Sequence, residues 1–436
     1  MLAVLSVFAI LILLAYKWTN ISFWLAIMLF IDPGGYINYL FNLPEIRFIL
    51  PFYIAFMPLL TNNQYRKNIL SADNKPVKLF YPFIVYALFF YFLLLNKENL
   101  SSIKDLLYLG IYSSILILIP IIYKNVYITT IRNPILPIYI FTIYASVVGI
   151  LFILSTQFGY KLINVATGTR EGLQRIIIYQ YGNYLFIPFI FMILLKLPKN
   201  NKRLSMLIVS TALFGLIILI YDMSRGQYVY MALILILLFF TFFRLRLMSK
   251  IGKSLITISV ILLFLMLILP QYINQVSVLI TNAVDSSSER EELRFTLNLE
   301  QHKILFRKNP VFGHGYTRKW YDNGYDDYGA SDLPLTGGIA MFGIVGTSLY
   351  LYFVVGLIKH LYKRIMSFKK LKPQGIDFNM SLVVVFFITI IGKYLLPFYY
   401  FQDIIRPQLL LTYFTFIAIG MGYYRIYIND LASKST

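Results

Sequence analysis

LSMLIVSTALFGLIILIYDMSRGQYVYMALILILLFFTFF, residues 204–243, is the stretch that decides the fold. Leu204 to Tyr221 and Gly226 to Phe243 contain no Asp, Glu, Lys or Arg. Roughly 20 apolar residues at 1.5 Å rise per residue cross the hydrocarbon core of a bilayer as one helix. Only a helix or a closed barrel satisfies its own backbone there. Asp222-Met223-Ser224-Arg225-Gly226 joins the two runs and is too short to lie far from the membrane surface.

The same pattern repeats along the 436 residues, of which 59% are hydrophobic and 13% charged. A soluble chain carries about a quarter charged residues. Further spans are predicted near 46–60, 79–95, 106–122, 135–155, 176–195, 254–273, 333–358, 380–396 and 405–424. Met1 to Ile31 is too long for one untilted span and too short for two full ones, and Lys17-Trp18 interrupts it. The expectation is an all-α polytopic membrane protein with 12–13 transmembrane helices. Its parts would be an N-terminal bundle over 1–273, an extracytoplasmic loop with short helices over 274–332, and C-terminal helices over 333–436. The absence of cysteine excludes disulfide frameworks, Cys-ligated metals and thiol catalysis. With three histidines a dense His-based metal site is not expected, and no cofactor is called for.

The net charge of +20 first suggests a nucleic-acid binder, but its distribution points to topology. Alternate loops hold Arg66, Lys67, Lys75 and Lys78; Lys124 and Arg132; Lys196, Lys199, Lys202 and Arg203; Arg244, Arg246, Lys250 and Lys253; and six between Lys359 and Lys372. Asp73 is the single acid in those loop cores. Cytoplasmic loops retain Lys and Arg, so these loops and the C-terminus are expected inside and no nucleic acid is expected as partner. The start of the chain has no basic region or small-residue cleavage site of the signal-peptide kind.

The outward loops then hold three unusual features. Residues 274–332 carry nine acids, among them Asp285, Glu289, Asp326, Asp327 and Asp332. Loops this long are uncommon unless functional. Ser288 to Glu291 has capping-box spacing, and Leu293, Leu297 and Ile304 recur near helical period, so an amphipathic helix is predicted near 287–307, ended by Asn309-Pro310. Second, Arg225 lies at or just inside the outer interface. An arginine at that depth snorkels and pairs, here with Asp222, or it serves an anion with its forked donors. Third, Thr169, Arg170, Glu171, Gln174 and Arg175 precede the span at 176, with Gln180 and Asn183 entering it. The helix from 333 carries Gly337, Ala340, Gly343 and Gly346 at intervals of three, a stripe that reads as close helix packing.

In order along 169–350, the chain resembles the Wzy-type polymerases of lipid-linked oligosaccharide repeat units and the related O-antigen ligases. The resemblance rests on the Arg-rich segment with Tyr181-Gly182-Asn183, Ser224-Arg225-Gly226, the large outward loop with Arg294 and Asn309-Pro310-Val311-Phe312-Gly313-His314-Gly315, and Gly343-Ile344-Val345-Gly346. It implies a glycosyltransferase of the bacterial cytoplasmic membrane that polymerises repeat units carried on undecaprenyl diphosphate. Donor and acceptor would both be lipid-linked oligosaccharides in the bilayer, and a chain-length regulator is an expected partner. Arg225 and Arg294 would meet the diphosphate, Arg170 or Arg175 a second phosphate or lipid, and Tyr181 and Asn183 the substrate. Asp332 or His314 would be the base. Arginines can stabilise the leaving charge that a divalent ion stabilises elsewhere, so no metal is expected. Ligases of this group place a histidine near the start of the helix that ends in Gly-x-x-Gly. Here Asp332 stands at about that position, which favours a polymerase over ligase-type transfer of glycan to another acceptor.

A lipid-linked oligosaccharide flippase is the rival from another class, since transporters also keep charges facing a cavity between many helices. Transporter folds are commonly built from repeated halves; this sequence shows no internal repeat, and its one long loop is placed asymmetrically.

Overall fold

A computed structural model describes residues 2–31, 44–61, 74–94, 103–157, 165–170, 173–178, 182–193, 195–198, 201–222, 225–247, 289–313, 334–370, 377–396, 401 and 407–435. Within them lie α1 (Leu2–Ile31), α2 (Pro44–Thr61), α3 (Lys75–Leu94), α4 (Ile103–Arg132), α5 (Ile135–Gln157), β1 (Val165–Arg170) and β2 (Leu173–Ile178). There follow α6 (Gly182–Met192), α7 (Lys202–Asp222), α8 (Arg225–Arg244), α9 (Glu289–Lys308), α10 (Pro334–Lys370), α11 (Phe378–Leu395) and α12 (Pro407–Ser435). Among the described residues six stretches are long and apolar enough to cross a membrane: Ser113–Arg132, Ile135–Thr156, Lys202–Leu219, Leu335–Lys369, Phe378–Leu395 and Leu409–Leu431. Lys17–Ile31, Ile49–Leu60 and Val229–Arg244 are shorter apolar helices. The chain is the helical multi-pass membrane protein its apolar runs imply. The span expected at 254–273 lies outside the described residues.

The ambiguity of the first 31 residues resolves into a broken helix. Trp18 leaves helical geometry (φ −132°, ψ 62°), and the two arms of α1 fold back on each other. Ser22 Oγ donates to Leu11 O over 2.6 Å, although a straight helix would hold residues eleven apart about 16 Å from one another. Tyr53 Oη from α2 donates to the same carbonyl over 2.8 Å and fastens the fold.

A second departure concerns 176–195, expected as one span. β1 and β2 form an antiparallel ribbon, with Arg170 opposite Leu173 and Gly168 opposite Arg175, and the helix begins only at Gly182. Leu173–Ile178 ends in three β-branched isoleucines, which suit a pleated strand, and two residues with a glycine between the strands suit a hairpin. β2 lies against α7.

The main buried apolar core runs from Leu11 in α1 to Tyr427 in α12, with a small second cluster of Ile190, Ala212 and Leu219 between α6 and α7. α12 packs along α4 and α11, α10 along α3, α8 along α11, and α9 along α10. Proline inside helices is handled locally. Pro58 has no amide proton to give the carbonyl of Ile54; buried Asn125 from α4 instead donates Nδ2 to Ile54 O at 3.3 Å and Ala55 O at 2.8 Å. One end of the bundle gathers cations against tyrosines. There Arg244 donates to Tyr362 Oη over 2.8 Å, and Arg364 lies 5.0 Å from the ring of Tyr424. The other end gathers the start of α8, the end of α11, α9 and the start of α10.

Candidate functional site

That second end is built around an interruption in α10. At Gly343 the helix opens (φ 63°, ψ −168°), so the amides of Ile344 and Val345 lose their usual acceptors four residues back. The segment following α9 supplies replacements: Ile344 N donates to Pro310 O at 2.9 Å and Val345 N to Val311 O at 3.1 Å. Tyr86 Oη from α3 stands 2.6 Å from Phe342 O and 2.7 Å from Phe312 O, sharing its proton between them. Gly313 (φ 81°) closes the turn with its amide on Asn309 O at 2.8 Å. Irregular backbone survives at membrane depth only where protein satisfies it, and here a loop segment and a tyrosine do so. The glycine stripe is therefore more than a packing surface. Gly343 is where the Asn309–Gly313 motif enters the bundle.

α9 is held to the start of α10 by a second bond. His302, 2% exposed, has Nδ1 2.8 Å from Thr336 Oγ1. Burial lowers its pKa to about 4, so the imidazole is neutral at pH 7. No local motif marks this histidine in the sequence. Its signal was a titratable side chain on an amphipathic helix otherwise rich in exposed charge.

A further charge was missed inside a span. Lys393, in the last turn of α11, is fully buried with Nζ 3.6 Å from the ring centroid of Tyr413 and 4.9 Å from that of Tyr394. The faces of two tyrosines, whose quadrupoles attract a cation, stand against the lysine amine. A lysine among the apolar residues of 378–395 was the available signal. Tyr230 Oη donates to Thr389 O over 2.6 Å, so this part of α11 sits against α8 five residues after Arg225.

Arg225 is the first residue of α8, where the amides and positive dipole end of a helix also favour anions. Arg294 falls in the first half of α9. Positions 170 and 175 share one face of the β-ribbon as diagonal neighbours. Phe152 near the end of α5 meets Tyr221 near the end of α7 at 5.6 Å between ring centroids. The ribbon follows α5 and rests on α7, and so belongs to the end of the bundle where α7 stops at Asp222. Asn183 is the second residue of α6. Tyr181, His314 and Asp332 lie outside the described residues.

These features define a multi-pass membrane protein whose arginine-bearing elements, broken helix and loop helix share one end of the bundle. Residues 210–351 match the family model described as O-antigen ligase, Wzy_C. Over that segment the chain is similar to a family of membrane proteins that handle glycans, and the match contains Arg225, Arg294, the Asn309–Gly315 motif and Gly343–Gly346. No curated relative matches the chain.

Proposed function

We propose that the protein is a membrane glycosyltransferase that polymerises oligosaccharide repeat units carried on undecaprenyl diphosphate, on the outer face of a bacterial cytoplasmic membrane. Its loop 274–332 would face outward and its C-terminus the cytoplasm. The observation that supports this reading is that the matched segment 210–351 contains Arg225, α9 and the Gly343 break, which gather at one end of the bundle. In the reaction a hydroxyl of the acceptor unit attacks the anomeric carbon of the donor. The bond to the diphosphate oxygen breaks, and the hydroxyl proton passes to a base, Asp332 or His314. Charge developing on the diphosphate would be met by Arg225 and Arg294, with Arg170 or Arg175 on a second phosphate. Fixed donors aimed at developing charge are typically the largest contribution to such catalysis. Tyr181 and Asn183 would contact the substrate.

The test is reconstitution. Protein in vesicles given lipid-linked repeat units, with EDTA present, should yield a ladder of lengthening glycans. Transfer to a different acceptor without lengthening would make it a ligase, and movement of units without bond formation a flippase. A ladder that strictly requires added magnesium or manganese would defeat the arginine mechanism.

A further inference from the structure

At the opposite, basic end of the bundle, the fold in α1 leaves a cavity of about 650 Å³ against the turn between α4 and α5. Lys17 and Arg132 line it with Asn20 and Asn133, and no carboxylate does so among the described residues. The walls are fixed from behind. Tyr139 Oη donates to Asn201 Oδ1 over 2.8 Å, the same oxygen that accepts Leu204 N at 3.0 Å at the start of α7. Pro134 O accepts from Tyr423 of α12. Thr19 and Ile135, also in the lining, stand in the first turns of the second arm of α1 and of α5, so two positive helix ends add to the two cations.

The surroundings of the cavity are apolar. Trp18, 51% exposed, carries Lys17 Nζ 5.2 Å from its ring centroid, and Ile135 is 46% exposed. Leu13, one turn back along the first arm, is 73% exposed. An aromatic ring beside a lysine is the usual furniture of a membrane–water interface. An anion seated in the cavity would therefore have lipid-facing surface directly beside it.

We propose that this cavity binds the phosphate headgroup of an anionic phospholipid, with its acyl chains along the exposed face of α1. Basic pockets between transmembrane helices take such headgroups. The phosphodiester would accept from Lys17, Arg132 and the two asparagine amides. The site is separate from the glycan chemistry proposed above and does not depend on it.

The test is native mass spectrometry of the full chain released from mixed phosphatidylglycerol and phosphatidylcholine vesicles. Wild type should retain phosphatidylglycerol in preference. K17Q/R132Q should lose that preference by about 25-fold, at roughly fivefold per cation. K17R/R132K should keep it with the same thermal midpoint. In wild type alone, phosphatidylglycerol should slow acylation of the Lys17 amine and phosphatidylcholine should not, a readout that requires no variant to fold. Equal retention by wild type and K17Q/R132Q, or equal acylation in both lipids, would overturn the proposal. Displacement of phosphatidylglycerol by millimolar inorganic phosphate would assign the same site to a soluble anion and refute the lipid.

Discussion

Gly313 and Gly343 face each other so closely that a Cβ on Gly343 would stand 2.4 Å from the amide nitrogen of Gly313, and a Cβ on Gly313 2.4 Å from that of Gly343. Both have positive φ, 81° and 63°. Thirty residues apart in sequence, they make one joint between the segment that follows α9 and the break in α10.

Alanine at Gly343 therefore meets two penalties: a positive-φ, extended-ψ conformation that is essentially restricted to glycine and costs about 1–3 kcal/mol, and an overlap with backbone costing about 1–3 kcal/mol more. Gly343→Ala should lower the thermal midpoint of the purified protein and remove polymer. Wild-type melting and polymer from this variant would mean the joint yields freely.

Tyr86 tests the same joint more gently. Phenylalanine keeps the ring and removes the one proton serving Phe312 O and Phe342 O, a loss of about 0.5–1.5 kcal/mol. Tyr86→Phe should leave the protein folded while limited chymotryptic cleavage after Phe312 speeds up. Unchanged cleavage would show that the carbonyls at Pro310 and Val311 hold the turn alone.

His302 gives a pH dependence whose sign follows from its neutral burial. Unfolded, the imidazole takes a proton near its ordinary value of 6.5; folded, only near 4. Between those limits the unfolded form binds more protons, so this contribution to stability is complete above 6.5 and is lost as pH falls toward 4. The opening equilibrium of α9, taken as its hydrogen-exchange rate divided by the intrinsic rate at each pH, should rise as pH falls through that window in wild type and stay flat in His302→Gln, which can still bond Thr336. An equally flat wild-type profile would disprove the argument.

Arg225 and Arg294 carry the catalytic proposal. Alanine at either should cut polymer formation on the order of 100- to 1000-fold with normal membrane levels. Lysine should rescue poorly, because an ammonium lacks the fork that matches phosphate. Near-normal polymer from both alanine variants would rule the site out.

What the sequence made legible was whatever depends on neighbours in the chain. Apolar run length located the helices, and the Asn309-Pro310 stop located the end of α9 at Lys308. Tertiary relations stayed hidden. The stripe through Gly343 reads as packing until Pro310 and Val311 are seen occupying its break. Ile176–Ile178 merges by composition with the apolar residues of α6, and a short apolar run has no period that separates strand from helix. Lys393 is lost in an apolar run because the two rings that stabilise it come from two helices. The Lys17-Trp18 interruption was visible, but the reversal it produces depends on Ser22 and Tyr53 meeting Leu11. For the proposed site, the arginines were readable as interface charges; the neutral state of His302 follows only from burial.

The identity of the base turns on Asp332, two residues before Pro334 opens α10. A carboxylate there has two roles open to it: capping the amides of the first turn of α10, or accepting the proton of the attacking hydroxyl. Asparagine separates them, since its carbonyl caps almost as well as a carboxylate but cannot take up a proton at neutral pH. If Asp332 is the base, Asp332→Asn at matched membrane expression should lose polymer nearly as fully as Asp332→Ala, with the thermal midpoint held in the asparagine variant. If it only caps, asparagine should give wild-type polymer and alanine should cost about 1 kcal/mol of stability. Wild-type polymer length and amount from Asp332→Asn would strike Asp332 from the mechanism. His314→Gln would then be the variant expected to abolish polymer.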